Sequence, residues 1–397
     1  MSDVQFMRLA LRLARRGSGA TSPNPMVGAV LVKRGQIIGR GWHRRTGGPH
    51  AEIEALRDTQ RRGFNLKSST LYVTLEPCCT HGRTPPCTDA IIAAGIKRVV
   101  VGATDPNPHH AGRGFKILRR AGIEVFGLRQ SVGVLEGGDT SSHAKLAAEC
   151  AELNEAFNHW IVQRTPFVIV KAAMTLDGKI ATASGESKWI TGEKARAYGM
   201  KLRQGSDAIL VGVNTILADD PSLTARIQNS EFRIQNKNLQ LRRIVLDSMA
   251  RTPLTAKVVS DEFAAQTTIV VSELAPQKRI AALAKRVNVL VAPAKSRIAN
   301  RQSRIDPAWL LQKLGSENVT RLLVEGGGEV NASFLLGGFA QRVAFFIAPK
   351  ILGGRDARKA VAGEGATQLS EALSLRDVVW RKLGDDLLLT ARLASKL

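Results

Sequence analysis

The chain has 397 residues, 44% of them hydrophobic, which suits two or three domains with cores of their own. Its 57 Lys and Arg against 34 Asp and Glu leave a net charge of +23, spread along the chain, while aromatic residues make up only 5%, a poor supply for stacking on bases. No apolar run approaches the roughly 20 residues of a membrane span, the first residues lack a secretory pattern, and four cysteines are too few for a disulfide framework; a cytoplasmic protein with neither membrane nor nucleic acid as partner is expected.

Apolar residues at helical spacing over 4–16 predict an amphipathic first helix. Short strands follow at 27–32, 35–38, 70–75 and 98–101, with helices at 51–62, 87–94 and 114–121. Their alternation predicts an α/β sandwich with mixed or parallel strands. The polar, glycine-rich stretch 127–142 reads as a loop leaving the first domain, and 144–160 as a helix that ends before Pro166. We therefore expect one domain over 1–145, a connecting helix over 146–165 and a second domain over 166–397. Strands at 167–172, 208–213, 243–246, 267–271, 288–292, 321–324 and 342–347, with helices between most of them, make the second domain α/β too. Residues 232–242 read as a polar surface excursion.

All seven histidines and all four cysteines precede Trp160, so the second half must work through carboxylates, Lys or Arg and a bound cofactor. In the first half, His50-Ala51-Glu52 is followed by Glu76-Pro77-Cys78 and then Cys87. One imidazole, two thiolates and a carboxylate free of the metal are the parts of a zinc deaminase centre, with one coordination position left for water. Zinc lowers the pKa of bound water from 15.7 to about 7, and Glu52 is placed to carry a proton from water to the departing ammonia. The spacing of Cys78 and Cys87 departs from the general Pro-Cys-x-x-Cys signature, and Cys79 reads as a bystander. In the second half a strand at 322–324 runs into Glu325-Gly326-Gly327-Gly328-Glu329 and a helix at 330–336. A strand, a glycine run and a helix N-terminus can cradle phosphate. The Gly-x-Gly-x-x-Gly spacing is missing, however, and a ligand-free tight turn would use the same residues.

Leu75-Glu76-Pro77-Cys78 with His81-Gly82-Arg83-Thr84-Pro85-Pro86-Cys87, and Pro23-Asn24-Pro25 with Val27-Gly28, resemble the pyrimidine deaminases of the riboflavin pathway. Three later segments resemble the reductase that follows them in one chain. These are Lys171 to Ala181, Ser184 to Thr191, and Gly212-Val213-Asn214-Thr215 with Asp219-Asp220-Pro221, Leu223-Thr224 and Arg226. Over essentially its full length the sequence is similar to the bifunctional riboflavin-biosynthesis deaminase–reductases. That resemblance implies a cytidine-deaminase-like three-layer α/β/α domain followed by a dihydrofolate-reductase-like α/β domain. It implies zinc and NADPH as cofactors, a small phosphorylated pyrimidine as substrate, and a homodimer or higher homo-oligomer.

By the same resemblance His50, Cys78 and Cys87 are expected to ligate zinc, with Glu52 as acid and base, and Asn24, His43, Arg83, Asp105 and Asn107 near the first substrate. In the second half Lys171, Asp219 and Glu325 are expected around the ribose, and Ser187, Arg203, Leu223 and Arg226 at the second substrate, the arginines at its phosphate. Ala173, Trp189, Thr215, Asp219, Ser248 and the run Gly327, Gly328, Glu329, Val330, Asn331, Ala332 and Ser333 are expected at NADPH. The rival is a tRNA or nucleoside deaminase whose second half is a binding module; the charge favours it, and the reductase segments oppose it.

Overall fold

The protein is described here from a computed structural model covering residues 1–81, 85–128, 140–225, 241–293 and 305–394. It divides into two units, Met1–Arg164 and Thr165–Leu397. The stretch 146–165, expected as a connector, lies within the first unit up to Arg164.

The first unit is a five-stranded sheet between two helical layers. In chain order its elements are α1 (Asp3–Ala14), β1 (Gly28–Lys33), β2 (Gln36–Trp42), α2 (Ala51–Arg61), β3 (Thr70–Leu75), α3 (Cys87–Ala93), β4 (Arg98–Ala103), α4 (Arg113–Arg120), β5 (Glu124–Gly127), α5 (Thr140–Leu153) and α6 (Glu155–Gln163). The sheet order is β2-β1-β3-β4-β5, antiparallel across the first three strands and parallel across the last three. Alternate strand residues feed two cores. Val30, Val32, Tyr72 and Val100 pack against Met7, Leu11 and Leu13 of α1 and Leu146 and Cys150 of α5. Ala29, Leu31, Leu71, Val73 and Val99 pack against Ala55 of α2, Ile91 of α3 and Leu118 of α4. At the start of α1, the buried Asp3 takes both guanidinium nitrogens of Arg98, at 2.9 and 2.8 Å, and the hydroxyl of Tyr72, tying the helix to β3 and β4.

The helix expected over 144–160 is two helices. Asn154 leaves helical geometry at φ −108°, ψ 22°. Its side chain accepts from the Met26 N–H at 2.8 Å and donates to the Met26 carbonyl at 2.9 Å, an offer that competes with the helix ladder.

The second unit is built on a nine-stranded sheet. Its strands are β6 (Phe167–Thr175), β8 (Ala208–Gly212), β9 (Arg242–Leu246), β10 (Thr267–Ser272), β11 (Asn288–Ala292), β12 (Arg321–Val324), β13 (Arg342–Ala348), β15 (Leu375–Leu383) and β16 (Asp386–Leu393); β7 (Lys179–Ala181) and β14 (Arg358–Lys359) form a separate pair. The order is β11-β10-β9-β8-β12-β6-β13-β16-β15, parallel through β13 and closed by the antiparallel hairpin. Parallel strands buried on both faces read as continuous apolar runs, as 208–211 and 269–271 do. Helix α7 (Glu193–Gln204) leads into β8, while α8 (Val213–Asp219) and the helix Gly328–Leu336 follow the carboxyl ends of β8 and β12, where sheets of this kind keep their ligand crevice. The helix expected at 330–336 starts two residues earlier. Among the described residues no helix is long and apolar enough to cross a membrane.

Gly41 governs how close α2 comes to the sheet. A Cβ there would stand 2.3 Å from the Ala51 carbonyl oxygen and 2.4 Å from the Ala55 nitrogen, against the first turns of α2. Gly41→Ala should push α2 outward and weaken zinc retention at His50 by about tenfold or more, the scale of losing support behind a metal ligand, read by chelator competition.

Candidate active sites

In the first unit three turns deliver the ligand side chains. His50 is the N-cap of α2, in extended backbone at φ −72°, ψ 164°, so its ring hangs off the helix start. Cys78 follows β3 after the Glu76-Pro77 turn, and Cys87 opens α3. His50 Nδ1 lies 3.4 Å from Cys78 Sγ and 3.3 Å from Cys87 Sγ, and all three ligand atoms fall within 4.8 Å of one another. A tetrahedral zinc with bonds of about 2.0 Å to nitrogen and 2.3 Å to sulfur needs ligand atoms roughly 3.5–3.8 Å apart. The donor set therefore fits zinc in number, softness and spacing. Cys79 is outside the group.

Protons show the same fit. The hydrogen bond from Cys87 holds the Cys78 thiol down at about 4, while that bond and burial push the Cys87 thiol upward. The hydrogen bond with Cys78 raises His50. Without a cation the trio thus shares protons that a divalent ion would displace. Glu52, 3% exposed on the first turn of α2, is pushed up by burial to about 7. It can both hold and release a proton near neutrality.

The other residues expected here fall into two groups. His43 donates from Nδ1 to the Pro49 carbonyl at 3.0 Å, accepts the Asn24 amide on Nε2 at 3.2 Å, and meets the His50 ring edge-on at 5.4 Å. Burial lowers its pKa, so it is a neutral imidazole with a set tautomer. Asp105 accepts the Asn107 N–H at 2.9 Å and lies 3.3 Å from His110 Nδ1. Arg83 lies outside the described residues.

Two residues near the site have no expected role in sequence. Glu76, 5% exposed, accepts the backbone N–H groups of Asp105 at 3.2 Å and of Gly112 and Gly114 at 3.0 Å each. It ties the Asp105–Asn107 loop to the turn carrying Cys78. His110 bridges Asp105 and the Thr80 hydroxyl, the latter at 2.9 Å. The Glu preceding Pro-Cys is the only local signal for Glu76; its partners are some thirty residues downstream.

In the second unit, the parallel register that sets Val324 beside Val170 brings Lys171 next to Glu325. Arg203 grips Glu325 through two parallel bonds of 2.9 Å, and Lys171 Nζ stands 3.6 Å away. Burial alone would raise the Glu325 carboxyl, but Lys171 and Arg203 outweigh it and hold it at about 2. Arg203 also donates to the Thr224 carbonyl at 3.2 Å. A neighbouring group joins the Ser187 hydroxyl to Asp219 at 2.8 Å. Leu223, at φ +50°, is 2% exposed and belongs to the core, so only its backbone is available to a ligand. Arg226 is outside the described residues.

For the cofactor, a Cβ on Gly327 would meet only Thr215 Oγ1, at 3.9 Å, so space is open between this loop and α8. Gly326 is different: its Cβ would collide with Val330 at 2.5 Å, which lets the helix close on the strand end. Gly327 caps the helix, whose first turn carries Gly328, Glu329 and Val330. Asn331 and Ala332 are buried, the Asn331 amide donating to the Ala360 carbonyl at 2.8 Å, whereas Ser333 is exposed. Ala173 shares a face of β6 with Lys171. Trp189 is 66% exposed under the Arg196 guanidinium, and the Ser248 carbonyl is held by the Ser272 hydroxyl at 2.8 Å. The open loop and free helix start fit a phosphate-bearing cofactor.

Residues 1–103 match the cytidine and deoxycytidylate deaminase zinc-binding region, and residues 166–389 match the RibD C-terminal domain. The chain is 44% identical over 391 residues to the riboflavin biosynthesis protein RibD of Actinobacillus pleuropneumoniae, covering 98% of this chain and 95% of that one. Against RibD of Escherichia coli strain K12 it is 38% identical over 397 residues, covering 98% and 99%. Acinetobacter baumannii RibD in its form 1 superposes with a TM-score of 0.79 at 34% identity over 99% of both chains. A Thermotoga maritima structure described as a diaminohydroxyphosphoribosylaminopyrimidine deaminase/5-amino-6-(5-phosphoribosylamino)uracil reductase gives 0.77 at 34% identity, again over 99% of both. A zinc-type deaminase unit and a reductase unit on one chain define a bifunctional enzyme. The chain belongs to the RibD family of riboflavin biosynthesis proteins. The rival, a deaminase with a docking module, is overturned by the match of the second unit to the RibD reductase domain.

Two outcomes test these sites. Cys79→Ala should keep one zinc per chain and Cys87→Ala should lose it, by metal analysis after gel filtration. The Glu325 carboxyl is depressed on folding, so its ion pairs stabilise the protein above the unfolded value of about 4.5 and fade as pH falls toward about 2. The thermal-stability gap between wild type and Glu325→Gln should be widest above pH 4.5 and narrow steadily below it.

Proposed function

We propose that the first unit hydrolytically deaminates 2,5-diamino-6-ribosylamino-4(3H)-pyrimidinone 5′-phosphate, and that the second reduces the ribosyl group of the product with NADPH to give 5-amino-6-ribitylamino-uracil phosphate. The two activities for which the Thermotoga structure is named support both substrates. The observation that carries the first step is the His50–Cys78–Cys87 group with the buried Glu52 beside it. Bound there, zinc would supply an activated water at neutral pH. Glu52 takes the proton from that water and returns one to the leaving amine, a double duty that its pKa of about 7 suits. Neutral His43 and Asn24 form one wall, and Asn24 offers the pyrimidine a hydrogen-bonding edge.

In the second unit Glu325 stays ionised at any working pH, so it anchors Lys171 and Arg203 and does not donate a proton. We assign proton donation at the ribose ring oxygen to Lys171 and phosphate binding to Arg203. NADPH would supply hydride to C1′, held by the Gly327–Val330 turn opposite Thr215. A homodimer is part of this proposal: the outer strand β15 is exposed along its length, with Trp380 55% exposed, and offers a second copy an unpaired edge. Sedimentation of the full chain reads that stoichiometry.

The deciding experiment follows NADPH consumption by the zinc-loaded enzyme given the diaminopyrimidine. Glu52→Gln should lower it by about 10²-fold or more, the usual scale of acid–base catalysis, and supplying the deaminated intermediate should restore it. No consumption with either compound would remove the reductase assignment.

A further inference from the structure

Five arginines surround a concave pocket of about 420 Å³ at the outer edge of the first unit's sheet, and one aspartate, Asp58, is its only acidic lining residue. The pocket lies where β2, the edge strand, meets the end of α1 and the last turns of α2. Gly41 faces α2, so its neighbours Arg40 and Trp42 point to the other side of the strand, where Trp42 packs beside the α1 core. Arg16 comes from just past α1, and Arg61 and Arg62 reach round from α2. Arg61 is eleven residues beyond His50, or roughly 16 Å along the helix, so this pocket is separate from the zinc group.

Some of the charge has a structural task. Asp58 accepts the outward N–H of Arg40 at 2.9 Å, and Arg62 donates to the Ile37 carbonyl at 3.4 Å, which blunts the open strand edge. Arg44 pairs with Glu54 at 3.1 Å, and Arg61 lies 3.7 Å from Asp58. Among the described residues the side chains of Arg16 and Arg40 face no carboxylate within 4.0 Å. Holding like charges together in a concavity opposes folding unless something anionic enters. Trp42 also orders part of this array, with the Arg44 guanidinium 4.2 Å and that of Arg16 5.0 Å from its ring centre. Guanidiniums fixed in place lose less freedom when they close on a ligand.

We propose that this pocket binds a polyphosphate anion, either inorganic or the tail of a nucleoside diphosphate. The net charge of the lining matches two phosphates of about −1.5 to −2 each, and the volume is that of a small-ligand site. Forked guanidiniums suit phosphate oxygens taken two at a time. The one aromatic ring that lines the pocket, Trp42, is already covered by arginines, which favours a compact anion over a strand of nucleic acid stacking its bases.

The test is calorimetric titration of the full-length zinc-loaded protein with pyrophosphate at physiological salt, repeated on Arg16→Gln/Arg40→Gln and on Trp42→Leu. Wild type should show a saturable site that the double variant weakens by about tenfold or more. Trp42→Leu, which alters no charge, should weaken it severalfold because the guanidiniums lose their support. ADP competing with pyrophosphate in wild type, but not in the double variant, would assign a nucleotide tail; pyrophosphate alone would assign the inorganic anion. Pyrophosphate affinity equal in wild type and the double variant overturns the proposal. So does tight binding only to an RNA oligomer, with a steep salt dependence shared by all variants. Arg61→Gln, on a different element, gives the same reading if Trp42→Leu does not fold.

Discussion

An ionised group taken out of water must be answered within a few ångströms or it will not stay ionised. Each unit is organised around one place where that requirement is met. In the first, two thiols and an imidazole crowd one point and must either share protons or hold a cation. In the second, a buried carboxylate is answered by an arginine fork and a lysine, so both cations are held in position by one anion. The same constraint thus yields a donor set that fits a metal in one unit and a buried cluster of two cations on one anion in the other.

Both places stand where secondary structure changes type. His50 caps a helix, Cys87 opens one, and Glu325 follows the last residue of a strand, just before a run of glycines. Side chains at such junctions are fixed by the rigid elements on either side, and the backbone there is anchored too: the Cys87 N–H donates to Cys78 Sγ at 3.3 Å and the Glu325 N–H to the Leu210 carbonyl at 2.9 Å. The Glu76 side chain extends this order into a loop, since its three backbone partners span Asp105 to Gly114. A carboxylate that accepts several N–H groups is a stiff joint, and the candidate substrate residues Asp105 and Asn107 hang from it.

The metal group and the α/β class of both units were legible because they are local: a short motif, or an apolar run bounded by turns. What escaped was decided at long range. Asn154 breaks a helix because Met26 offers it two backbone bonds, which no window of sequence contains. The hairpin of β15 and β16 was missed because a bulge between Arg376 and Val379, with Asp377 at φ +53°, interrupts the strand alternation. Leu223 matched a substrate motif yet buries its side chain, and Asn331 lies in the glycine-loop helix but turns inward to Ala360. In each case the motif located the backbone while packing decided which way the side chain points.

The four cysteines all lie in the first unit, two of them in the metal group, and the second unit has none. The two half-reactions therefore differ in their vulnerability to electrophiles and oxidants. Alkylating the half-buried thiols of Cys78 and Cys79 after removal of any bound metal is expected to abolish deamination and spare the reductase unit, a chemical dissection of one polypeptide without cutting it.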